Sequence, residues 1–147
     1  MLQIGIRFFL FFLLLSLCSC GPYYISVMQK WVDERYLAST HVETPDPRQE
    51  VPSIGQMLVV QWCVPSEVLA LNPVAVLDVI FWDHTEQRIC FPITRRLNYE
   101  YYRLFDQEYE EKGGILTYKA TILTEDGCIY KECKHQLWVN LIKIEDN

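Results

Sequence analysis

The sequence predicts an all-β fold, an antiparallel sandwich carried behind an N-terminal apolar leader. Three observations predict it. Short runs rich in Val, Ile and aromatic residues alternate in polarity, most clearly over 56–64 (QMLVVQWCV) and 115–123 (ILTYKATIL). Turn-forming residues separate the runs, and Asp126-Gly127 is the strongest hairpin signal, because glycine supplies a positive φ at no steric cost. Once the leader is set aside, about 128 residues remain, the size of one domain able to bury its own core.

The elements follow in order. Residues 1–20 read MLQIGIRFFLFFLLLSLCSC, with Arg7 as the only charge and an unbroken apolar run over 8–15. A basic start followed by an apolar stretch is the pattern of an export signal. A spanning helix needs about 20 apolar residues, and this run ends early at Ser16, Cys18, Ser19 and Gly21-Pro22. Residues 1–19 are therefore read as a removed signal and 20–38 as an anchor and tether. Within the tether, Ile25, Met28, Trp31 and Val32 are spaced for one face of a short amphipathic helix, and a first strand or irregular tether packed on the domain fits as well.

The sandwich is assigned to 39–147. A strand is possible over 36–43 (YLASTHVE), and 44–55 (TPDPRQEVPSIG) holds three prolines that exclude a central strand. In 56–64, Leu58, Val60 and Trp62 share one face and Val59, Gln61 and Cys63 the other, ending at Pro65. Strands are predicted over 74–82 and 88–93, joined by a turn in DHTEQ, and over 115–123. After the Glu125-Asp126-Gly127 turn, a return arm starts at Cys128 and ends in 137–144. Residues 98–112 (NYEYYRLFDQEYEEK) suit a helix stopped by Gly113-Gly114, and also a strand through the alternation of Tyr99 and Tyr101. The topology needs a strand there, so a strand is assigned.

Two resemblances sharpen this reading. Leu17-Cys18-Ser19-Cys20 resembles the bacterial lipobox, in which an aliphatic, a variable and a small residue precede the cysteine that is lipidated. Taking Cys18 as the anchor would put bulky Leu17 where a small residue belongs, so Cys20 is the residue assigned to lipidation. The resemblance implies a lipoprotein held by two or three acyl chains. Each buried CH₂ contributes about 0.8 kcal/mol, which makes such anchoring effectively permanent. In that family's enteric-type sorting an Asp after the anchor retains the protein in the inner membrane; Gly21 here implies the outer one. The second resemblance lies in QMLVVQWCVPSE and GGILTYKATILTEDG, which are similar to the second strand and to the penultimate strand and final hairpin of fibronectin type III domains. It implies an immunoglobulin-like sandwich with Trp62 and Tyr118 packed in its core. Glu111-Lys112-Gly113-Gly114 stands where that family carries a leucine and a proline.

Charge excludes some partners. Removing Arg7 with the leader leaves 12 basic against 19 acidic residues, a net −7. Such a chain is a poor nucleic-acid binder, and its scattered cations leave membrane attachment to the acyl chains. Export places Cys63, Cys90, Cys128 and Cys133 in a disulfide-permissive compartment, where they are candidates for one or two disulfides of open pairing. Cys128 and Cys133 lie five residues apart, about 16 Å in a strand, so a bridge between them would require a turn.

No G-x-S-x-G, H-E-x-x-H or glycine-rich phosphate loop is present, and no cofactor or small-molecule substrate is indicated. Cys128-x₄-Cys133-x-His135 could supply three metal ligands, but its spacing is not that of a zinc knuckle, and no metal is assigned. Asp83-His84 reads as a solvated turn. Glu108, Glu110, Glu111, Glu125 and Asp126 lack the spacing of a calcium loop and read as a solvated acidic face. Tyr99, Tyr101, Tyr102 and Tyr109 form a candidate interaction surface, with cross-strand packing as the competing role. The expectation is a non-enzymatic, membrane-anchored sandwich that binds or supports an envelope protein. The alternative is a small exported enzyme or metal protein using Cys128, Cys133 and His135.

Overall fold

The structure is a computed structural model and describes residues 23–36 and 52–138. The leader with Cys20, the strand suggested over 36–43 beyond its first residue, and the final arm beyond residue 138 lie outside the described residues. Among the described residues, seven strands form two antiparallel sheets: β1 (Tyr24–Val32), β2 (Gly55–Cys63) and β5 (Leu97–Phe105) in the order β1-β2-β5, and β3 (Val74–Phe81), β4 (Glu86–Pro92), β6 (Ile115–Leu123) and β7 (Ile129–Lys134) in the order β4-β3-β6-β7. Two short helices, α1 (Ser66–Leu69) and α2 (Asp106–Lys112), sit in the crossovers. The chain changes sheet after β2, after β4 and after β5. This is the predicted all-β, immunoglobulin-like sandwich.

Alternation sends one side of each sheet into a shared core. Leu58, Val60 and Trp62 of β2 meet Leu77, Val79 and Phe81 of β3, with Tyr102 and Leu104 of β5 and Tyr118, Ala120 and Ile122 of β6 around them. Burying each large apolar side chain contributes about 1.5–3 kcal/mol. Trp62 and Tyr118 are core residues, as the fibronectin resemblance implied. The Trp62 indole N–H donates to the Arg95 carbonyl at 3.2 Å. Burial pushes the Tyr118 hydroxyl above its ordinary pKa, and the charge of Cys133 adds to the shift.

Of the two readings of 21–35, the strand is correct. Tyr24–Val32 pairs with β2 over its full length, so the sandwich begins at Tyr24 rather than at residue 39. Helical spacing arose because Ile25 and Val27 face the core while Met28 lies on the outer face. The strand assigned to 98–112 holds only as far as Phe105, and Asp106–Lys112 is the helix that the same residues also suited. The chain turns at Asp106, whose φ is +52°. There Asp106 N–H donates to the Ile54 carbonyl at 2.8 Å and Ile54 N–H donates back to Asp106 Oδ1 at 3.0 Å. After this clasp α2 runs to Gly113, whose φ of +70° provides the left-handed stop.

The expected disulfides are corrected: Cys63, Cys90, Cys128 and Cys133 are all free thiols. Cys63 lies in the three-stranded sheet, whereas Cys90 and Cys133 occupy opposite edge strands of the other. Three interstrand spacings amount to roughly 14 Å, about twice what a disulfide permits. Cys128 lies just before β7 and Cys133 near its far end, with extended strand between them.

Candidate functional site

Register builds a surface on the outer face of the three-stranded sheet. Directly paired residues point to the same side, so four cross-strand rows face outward: Tyr24–Cys63–Leu97, Ser26–Gln61–Tyr99, Met28–Val59–Tyr101 and Lys30–Met57–Arg103. A solvated sheet face is ordinarily polar; the two middle rows of this one place Met28, Val59, Tyr99 and Tyr101 beside Ser26 and Gln61. Met28, Val59, Gln61, Tyr99 and Tyr101 line a shallow trough of about 500 Å³ with Lys30, Met57 and Arg103 at one end. Met28 is 55 % and Tyr99 52 % exposed. The Tyr99 and Tyr101 rings meet edge to face, with centroids 5.3 Å apart, and the Arg103 guanidinium lies 5.5 Å from the Tyr101 ring centre. Gln61 Nε2 donates to the Tyr24 hydroxyl at 2.9 Å and fixes the adjoining row.

The trough is electrostatically open. Among the described residues no acid lines it, although acids outnumber bases in the chain. Among the described residues, Lys30 and Arg103 form no ion pair, whereas Arg88, Lys112, Lys119 and Lys134 each hold a carboxylate. The opposite face shows the contrast. A concavity of about 370 Å³ there contains Asp78 gripped by Arg88 at 2.6 Å and Lys119 at 3.2 Å, with Lys119 5.0 Å from the centre of the Trp138 ring. The bond to Asp78 and its charge raise the pKa of Arg88. Charges on that face satisfy one another, whereas Lys30 and Arg103 hold no carboxylate among the described residues.

The tyrosine prediction divides by strand parity. Tyr99 and Tyr101 face the trough. Tyr102 points into the core, where burial first and the Glu108 charge second push its phenol up to about 12. Its hydroxyl donates to Gln87 Oε1 at 2.9 Å. Tyr109 lies on α2, and its ring packs edge to face on Trp31 at 5.4 Å. Tyr102 and Tyr109 are thus structural, because a single-residue step reverses the face in a strand and the second tyrosine lies past the Asp106 turn. Met28, Lys30, Met57, Val59 and Arg103 were not anticipated as site residues. Arg103 continues the Tyr99–Tyr101 alternation and was legible; the others join the tyrosines only through register.

No family model, curated protein or solved structure matches the chain. The site therefore rests on its own geometry.

The alternative centre does not assemble. Cys133 packs against the core, Cys128 is exposed beyond the start of β7, and the His135 ring lies on Tyr118 with centroids 5.0 Å apart. Among the described residues, no group of three His, Cys, Asp or Glu side chains is arranged as metal ligands. Asp83 is a turn acceptor: it takes hydrogen bonds from the Thr85 hydroxyl at 2.7 Å and the Thr85 N–H at 2.9 Å, which lower its pKa. Glu108 pairs with Lys112 at 3.0 Å on α2. No helix of the described residues is long and apolar enough to cross a membrane.

Proposed function

We propose that the chain is a lipid-anchored binding module of the bacterial cell envelope, attached through acylated Cys20 and engaging an envelope protein through the outer face of β1, β2 and β5. The observation that carries the binding half is the trough: exposed Met28, Tyr99 and Tyr101 beside two cations, Lys30 and Arg103, that hold no carboxylate among the described residues. Aromatic side chains supply rigid contact area, and methionine adapts to the shape it meets. The complement is a protein surface offering apolar side chains next to a carboxylate. The lipobox resemblance supports the anchoring half, and Gly21 favours the outer membrane over the inner.

A photo-crosslinking residue placed at Tyr99 or Met28 in cells tests the binding half, with Glu132 on the opposite sheet as control. A discrete adduct from the trough positions, absent from Glu132 and lost on Lys30→Glu with Arg103→Glu, is the expected result. Equal labelling from both faces, or an adduct indifferent to the charge reversal, contradicts the reading.

A further inference from the structure

The trough ends on the row Tyr24–Cys63–Leu97, and this row borders another exposed feature. The β4–β5 connection carries Arg95 and Arg96 immediately before Leu97, all three exposed, with Leu97 at 60 %. Its backbone is held firmly. The buried Trp62 donates to the Arg95 carbonyl, Val64 N–H donates to the Arg96 carbonyl at 2.8 Å, and Arg96 Nε donates to the Val64 carbonyl at 3.4 Å. Among the described residues neither arginine forms an ion pair with a carboxylate. Two cations and an exposed leucine are therefore presented on a rigid corner, two strands from Tyr24.

The position of Tyr24 gives this corner its meaning. Only three residues lie between it and Cys20, and the four Cα-to-Cα steps reach at most roughly 14 Å when fully extended. If Cys20 carries acyl chains, the Tyr24 end of the sandwich stays within that distance of the lipid. The opposite end, with Asp106 and α2, is held away by the length of the strands. We infer that the corner formed by Tyr24, Arg95, Arg96 and Leu97 rests on the headgroups of an anionic bilayer and sets the orientation of the domain.

This inference rests on the lipidation of Cys20 proposed above. The acyl chains supply affinity. The corner needs only to choose among orientations, for which a short tether makes weak contacts sufficient. Arginines bind lipid phosphates, and Leu97 and Tyr24 suit the boundary between headgroups and acyl chains. Acids at the same end, Glu67, Glu125 and Asp126, come from the β2–β3 and β6–β7 connections; Glu125 is tied to Asn72 at 3.2 Å. They favour a tilt that lowers the three-stranded sheet and lifts the acidic hairpin. In this pose the strands stand up from the membrane, the Lys30–Met57–Arg103 row lies about 20 Å above the Tyr24 row, and the trough opens sideways to a neighbouring envelope protein.

Hydrogen exchange of the full acylated protein in vesicles of phosphatidylethanolamine and phosphatidylglycerol tests this, with the mass of the N-terminal peptide read from the same sample. The expected result is acylated Cys20 with slowed exchange over 93–99, unchanged exchange over 106–114, and protection reduced about fivefold for each of Arg95→Glu and Arg96→Glu. Acylated protein with no protection at 93–99, or with protection unaffected by both substitutions, overturns the orientation and leaves the anchor standing. Protection of 93–99 that appears only when an envelope protein fraction is added assigns the corner to a protein and also overturns it. An unacylated N-terminus removes the anchor and overturns both readings.

Discussion

Replacing Trp62 by Phe connects the core to the exposed corner. Trp62 is fully buried, and its N–H is the donor to the Arg95 carbonyl. The smaller ring leaves a void and forfeits contacts worth about 1–2 kcal/mol. The lost hydrogen bond adds about 1 kcal/mol, giving a total of about 2–3 kcal/mol. Domains of this size have about 5–15 kcal/mol in all. With a urea dependence of about 1–3 kcal/mol per molar, the unfolding midpoint falls by roughly 1 M or more. Far-ultraviolet circular dichroism is the suitable readout, because the substitution changes the fluorescence itself. Trp82→Phe is the matched control: its side chain is 59 % exposed, and such changes cost within about 0.5 kcal/mol. Trp62→Phe should also speed amide exchange at Arg95 to Leu97 relative to α2. If both variants unfold at the same urea concentration, the placement of Trp62 as the centre of the core is wrong.

Other outcomes follow from single contacts. A Cβ on Gly55 would overlap the Leu104 carbonyl oxygen and lie 2.9 Å from Phe105 Cα, so Gly55→Ala should cost about 2–3 kcal/mol by forcing β2 and β5 apart; a midpoint within error of wild type refutes that close approach. The raised pKa of Tyr102 means that the unfolded chain ionises first, so its contribution is fully present below pH 10 and lost as pH rises towards 12. Tyr102→Phe should cost about 1 kcal/mol at neutral pH through the lost bond to Gln87 and flatten the alkaline decline. Equal slopes in both proteins contradict the assignment. Denatured without reductant, the protein should take up alkylating agent at Cys63, Cys90, Cys128 and Cys133, and a peptide map showing any of these in a cystine contradicts the free-thiol arrangement.

The sequence was most legible where strands have one face in the core and one in water. Alternation located β2 and β6, and Asp126-Gly127 located the turn between β6 and β7. It failed where apolar residues lie on both faces. Met28 and Trp31 made β1 resemble a helix, and the outward methionine that misled the periodicity is itself part of the trough. Residues 98–112 were ambiguous because they hold a strand and a helix joined at Asp106, a turn that depends on Ile54, a residue far away in sequence. The tyrosines drew attention to the correct strand but could not be sorted without parity. Met57, Val59 and Lys30 join Tyr99 and Tyr101 only through pairings across many tens of residues. The cysteine count suggested staples; the sandwich places those cysteines on separate sheets and edges, and its core of Trp62, Phe81 and their neighbours forms without them.

The central claim is that this sandwich works from a lipid anchor. The most direct test is mass spectrometry of the N-terminal peptide of protein extracted from cell membranes, compared with Cys20→Ala. The account predicts a mature chain that begins at Cys20 with a diacylglyceryl mass on its thiol, and loss of membrane retention in the variant. A wild-type peptide that is unacylated, or that begins at another residue, contradicts it.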